Sequence, residues 1–99
     1  MAETESTRAA LLDEAKELIT GDRNNQYGPP AQDFQRSAAA LNAYGYRGPQ
    51  GRPLVAHDIA IMIMAVKISR LMWTPGNRDS WVDLAGYASC GYECTLDES

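Results

Sequence analysis

Apolar positions along this chain fall into four blocks, and each block has the three-and-four spacing of a helix. Leu11, Ala15, Leu18 and Ile19 make one face of a first helix, which Ser6 or Thr7 can cap and Gly21 stops near Thr20. Met1 to Thr4 reads as a frayed end. From Gly21 to Pro30 no apolar period survives; glycine, asparagine and proline mark a loop. Pro30 suits the first turn of a second helix, with Phe34, Ala38 and Leu41 as its stripe and an end near Asn42. Ala43 to Arg52, with glycines at 45, 48 and 51, reads as a second loop. A third helix is predicted from about Pro53 to Trp73. A fourth begins after the capping residue Asn77, with Trp81, Leu84, Ala85 and Ala88 on its apolar side and a loose tail from Thr95.

The third block is unusual: from Ile59 to Val66 there is no polar residue on any side. Helices apolar all round are buried all round, and a chain of 99 residues has too few helices to enclose one. The expected architecture is therefore all-α, a single domain over residues 1–99 with an ordered core of about 6–94. It is a bundle of about four helices completed by oligomerisation into a homodimer or tetramer. The apolar run is far short of the roughly 20 residues a membrane span needs. A net charge of -4 and the lack of a basic recognition helix argue against duplex nucleic acid. Two cysteines and no secretory leader point to a reducing cytoplasm, and Cys90 and Cys94 read as small buried residues.

Charge then changes the picture around the turn between the last two helices. Lys67 and Arg70 share a flank of the third helix; Asp79 and Asp83 sit four apart on the fourth. Two carboxylates at that spacing repel unless a cation lies between them. In an antiparallel hairpin Lys67 or Arg70 can be that cation, and Mg²⁺, which prefers carboxylate and phosphate oxygens, is the other candidate. Asp58, in the first turn of the third helix, projects away from Lys67 and needs a partner of its own. Glu14 and Glu17 lie three apart, either facing water or holding a cation. In the first loop Asp22, Arg23, Asn24 and Tyr27 can present a carboxylate, a guanidinium, an amide and a ring to one ligand, or form a rigid turn. Tyr87 can stack on a base or pack in the core. Arg47 and Arg52 read as solvent-facing, with phosphate contact as the alternative.

The combination TGDRNNQYGPP, HDIAIMIMAVKISRL and DSWVDLAGYA resembles a family of short, mostly phage-encoded helical proteins over roughly Leu11 to Glu93. More distantly, YGPP, the Lys67/Arg70 pair and the Asp83-containing DLAGY look like phage domains associated with nucleotide modification. Those are similar to all-α nucleotide pyrophosphohydrolases of the MazG type. That resemblance implies helical acids holding Mg²⁺ around a nucleoside triphosphate and cleavage of its α–β phosphate link. The enzymes carry E-x-x-E followed by E-x-x-D on a later helix; here Glu14-x-x-Glu17 lies far in sequence from Asp79 and Asp83.

The leading expectation is a Mg²⁺-dependent nucleoside triphosphate pyrophosphohydrolase acting in phage nucleotide metabolism, in the host cytoplasm. Asp83, Asp79 and Lys67 would be catalytic, Asp79, Asp83 and Asp58 metal-binding. Asp22, Arg23, Asn24, Tyr27, Arg70 and Tyr87 would hold the nucleotide. The alternatives are a non-catalytic nucleotide-binding or signal-sequestering protein, and a structural helical interaction module.

Overall fold

The computed structural model of the chain describes residues 2–21 and 26–98, with side chains over 7–21, 26–96 and 98. Among the described residues the architecture rests on α1 (Ala2–Thr20), α2 (Pro30–Ala43), α3 (Ala56–Trp73) and α4 (Arg78–Asp97), with a 3-10 turn at Pro49–Gly51. The expected all-α bundle is what forms. No described helix is long and apolar enough to cross a membrane.

The register of side-chain partners gives the topology. Lys67 meets Asp83, and His57 meets Glu98, so α3 and α4 run antiparallel as one hairpin. A Cβ placed on Gly91 would come within 3.0 Å of the Ala60 Cβ, so the hairpin closes at the one position of α4 that has no side chain there. Glu14 pairs with Arg78, while Ile19 abuts Gly86; both numbers rise together, and α1 therefore lies parallel to α4. The second helix, α2, covers the other side of the hairpin. Phe34, Ala38 and Ala31 of α2 form the core with Ala56, Ile59 and Ala60 of α3 and Cys90 and Cys94 of α4.

Helix boundaries differ from the sequence expectation in three places. The first helix begins at Ala2, ahead of the expected cap at Ser6 or Thr7. The third begins at Ala56, three residues after Pro53, because the preceding segment is pulled straight by two clamps. Asn42 donates from Nδ2 to the Leu54 carbonyl at 2.9 Å and accepts from the Leu54 amide at 2.8 Å. Asp58 Oδ2 accepts from the Val55 amide at 2.8 Å, a helix-start bond that fixes where α3 opens. The fourth helix continues through the tail expected to be loose. Its end is held by Glu98, whose carboxylate accepts from the His57 amide at 2.9 Å and from His57 Nδ1 at 2.6 Å. That amide belongs to the first turn of α3, which has no partner within its own helix.

The all-apolar stretch of α3 is not enclosed by its own chain. Ala60 is buried, but Ile61 is 56% exposed and Val66 50%. Only α2 and α4 pack against α3, since α1 lies on α4 alone, so one side of α3 stays open.

Candidate functional site

Because α1 runs parallel to α4, the acids of their facing flanks come together. Glu14 and Glu17 of α1 and Asp79 and Asp83 of α4 line one open cleft, floored by Leu18 and Val82. Asn77 sets the start of α4 by accepting from the Ser80 amide at 3.0 Å, as the sequence predicts for a cap. Trp81 Nε1 donates to the Pro75 carbonyl at 2.8 Å and fixes the turn beneath the cleft.

Two cations enter this acidic wall. Lys67 Nζ reaches across the hairpin to Asp83 Oδ2 at 2.8 Å, with both side chains at least three-quarters covered. Arg78 places Nη2 and Nε at 2.9 and 3.1 Å from Glu14 Oε2. Among the described residues Glu17 and Asp79 have no ion-pair partner. The wall thus keeps a surplus of negative charge, which a cation would offset. All four donors are carboxylates, the kind a hard divalent ion takes. Among the described residues no three acidic, histidine or cysteine side chains converge closely enough to hold such an ion. The donor set suits a hard cation in chemistry alone; as placed, the carboxylates do not close on one.

The other sequence candidates disperse. Arg70 is exposed at the last turn of α3, one turn beyond Lys67, and among the described residues has no carboxylate partner. Asp58 lies nine residues before Lys67, on the order of 13 Å along the helix axis, at the opposite end of the hairpin from Asp83. Its carboxylate is held by Arg52, at 2.7 Å to Oδ2 and 2.8 Å to Oδ1. That fork, with the Val55 amide, keeps the Asp58 carboxyl below the usual carboxylate range although burial works the other way. Arg52 is correspondingly raised by the same bond. Tyr87 is half-buried and stacks on Phe34 with ring centroids 6.1 Å apart. Tyr27 is exposed, and its carbonyl accepts from Arg36. Asp22, Arg23 and Asn24 lie outside the described residues.

Sequence reasoning gave Arg52 to solvent and did not single out Arg78. No local spacing could reveal Arg78, since its bond to Glu14 spans 64 positions. The presence of Asp58 in need of a partner was the one signal pointing towards Arg52.

Four helices with an acid-lined cleft between the first and last define an all-α protein. The chain belongs to the family described as Domain of unknown function (DUF6378), whose model matches residues 10–95. It is 36% identical over 81 residues to the Gene 55 protein of Mycobacterium phage D29, covering 82% of this chain and 50% of that protein. To the Gene 55 protein of Mycobacterium phage L5 it is 37% identical over 89 residues, covering 90% of this chain and 54% of that protein. The chain therefore spans about half the length of the curated relatives it matches. No solved structure matches it.

Proposed function

We propose that the protein is a Mg²⁺-dependent, MazG-like nucleoside triphosphate pyrophosphohydrolase of phage nucleotide metabolism, working as a homo-oligomer in the host cytoplasm. The observation that carries this reading is the meeting of Glu14-x-x-Glu17 with Asp79 and Asp83 on one cleft. Far apart in sequence, the Glu14-x-x-Glu17 pair that matches the resemblance and the Asp79/Asp83 pair, spaced four apart where the enzymes carry E-x-x-D, become neighbours through the parallel packing of α1 on α4. Asp79 and Asp83 would hold the ion, with Glu14 and Glu17 completing its oxygen shell. The ion would polarise the phosphate and lower the pKa of a bound water. Lys67 positions Asp83, and Arg70 stands one turn away to neutralise phosphate charge. Asp58, held by Arg52 at the far end of α3, has no part in this site.

A second reading rests on the Lys67–Asp83 pair itself. At 2.8 Å it already neutralises the most central carboxylate, which suits a protein that holds a nucleotide through Lys67 and Arg70 without turning it over. One experiment separates the two. The protein is incubated with a panel of nucleoside triphosphates, with and without Mg²⁺, and the products are resolved. Pyrophosphate release that requires Mg²⁺ and vanishes in Asp83→Ala supports the enzyme. Tight binding with intact nucleotide recovered supports the binder, and silence across the panel removes both.

A further inference from the structure

The exposed side of α3 has a definite pattern. At about 100° per residue, Ala65 and Ser69 lie at the centre of the side turned away from α4. Ile61, Ile68 and Met72 form a row on one flank of that centre, and Met62, Val66 and Trp73 form a row on the other. All six are large and apolar, and exposure runs from 46% at Met62 to 90% at Trp73. Small residues between two ridges of large ones are the surface relief into which a second helix packs.

The area agrees. The chain exposes 6869 Å², whereas a compact monomer of 10.9 kDa exposes about 5,600 Å². The excess, on the order of 1,300 Å² by that scaling, is more than the roughly 800 Å² each partner contributes to a standard stable interface. The radius of gyration, 15.1 Å, also exceeds the roughly 13 Å of a compact 100-residue domain. One copy is thus drawn out, and six of its large exposed apolar side chains stand on this face of α3.

We infer that this face of α3, crossing at Ala65 and Ser69, is the two-fold seam through which a second copy of the chain completes the core. The inference deepens the reading that the protein is a homo-oligomer, and rests on it. A second copy meets the requirement directly, because an isologous contact sets the same two apolar ridges against one another. A lipid surface is a poorer occupant: the chain carries a net charge of -4, which anionic headgroups repel. The seam lies opposite the side of α3 that sends Lys67 to Asp83, so pairing leaves the acidic cleft open.

The test is the solution mass of the full chain by sedimentation or light scattering, for the wild type, Ala65→Arg and Ile68→Glu, with circular dichroism to verify the fold. Both substituted positions are solvent-facing in the single chain, so they disturb the seam without entering the core. The expected result is a wild type of at least twice the chain mass and variants whose dimer dissociation constant rises by about 100-fold or more. A short bis-maleimide crosslinker should also join two copies of Ala65→Cys. A wild type that is monomeric throughout overturns self-association and the seam together. Folded variants that keep the wild-type mass, with Ala65→Cys left uncrosslinked, overturn the seam alone and leave self-association to another surface.

Discussion

Lys67 of α3 and Asp83 of α4 meet at 2.8 Å, and this pair ties the hairpin to the acidic cleft. The lysine side chain is 17% exposed and the aspartate 25%, so most of each is withdrawn from water. Removing one partner strands the other. Asp83→Ala and Lys67→Ala should each cost about 1–3 kcal/mol by chemical denaturation. Replacing both at once, as Lys67→Met with Asp83→Leu, should cost less than the two single changes combined. Equal additive losses would show that the pair is only a close approach of two screened charges.

At the other end of the hairpin the Arg52–Asp58 fork predicts an acid limit. Asp58 is held below its ordinary carboxylate range chiefly by the Arg52 bond. A carboxylate depressed in the folded state contributes stability above its unfolded pKa of about 3.9, and that contribution is lost as pH falls through the folded value. Stability should therefore decline below about pH 4 partly through this group. Asp58→Asn should flatten that part of the profile while lowering stability at pH 7 by about 1–2 kcal/mol through the lost charge and the broken Arg52 fork. The raised Arg52 acts in the opposite sense: its contribution is intact at every working pH and lost only in strong alkali. The measurement is urea unfolding between pH 3 and 7.

Much of this fold is written in local periodicity. The three-and-four spacing of Phe34, Ala38 and Leu41 and the cap at Asn77 locate helices without knowledge of their neighbours. The hairpin pairing of Lys67 with Asp83 was also legible, because two acids four apart demand a cation and only a short turn separates them from one. The cleft was not. Its α1 half depends on α1 lying parallel to α4, and nothing in the sequence of Glu14 and Glu17 states which helix their flank will face. The tail misled for a related reason. Thr95 and Asp97 are weak helix formers, and the end of α4 is tied by Glu98 accepting from the amide of His57, 41 positions away.

If the cleft holds a cation, its two carboxylates without ion-pair partners among the described residues should matter most. Glu17→Gln and Asp79→Asn should each weaken Mg²⁺ or Mn²⁺ binding about 10- to 100-fold, the scale seen when groups around a metal are altered. Asp58→Asn should leave it unchanged, because Asp58 is bonded to Arg52 far from the cleft. Isothermal titration with Mn²⁺ reads all three. Loss of binding in Asp58→Asn, with the cleft variants unaffected, would place the ion at the wrong end of the molecule for this reading.

The Glu98–His57 contact predicts where the hairpin opens first. Glu98→Ala leaves the His57 amide without its acceptor and frees the last turn of α4. Global stability should fall by only about 1 kcal/mol, since Glu98 lies at the end of the bundle. Hydrogen exchange should be more sensitive: the His57 amide should lose protection about tenfold or more, while amides near Ala60 keep theirs. Uniform loss along α3 would mean that the contact supports the whole hairpin.

Gly91 sets the distance between the hairpin helices, and its replacement pits two effects against each other. A helix-interior glycine changed to alanine gains about 1 kcal/mol in propensity. Here the added Cβ would sit 3.0 Å from the Ala60 Cβ, inside the roughly 3.5–4.0 Å at which carbon atoms attract. Both atoms belong to backbone-anchored groups that no rotamer change can move, so α3 and α4 must separate. Overpacking of this kind costs about 1–3 kcal/mol and should exceed the propensity gain. Gly91→Ala is expected to lower the melting temperature by several degrees, since about 1 kcal/mol corresponds to roughly 4–8 °C in a domain of this size. Combining it with Ala60→Gly moves the methyl group from one helix to the other. That double variant should recover most of the loss, because the propensity changes cancel and the gap is filled from the opposite side. A stabilised Gly91→Ala would show that the hairpin has slack at this crossing.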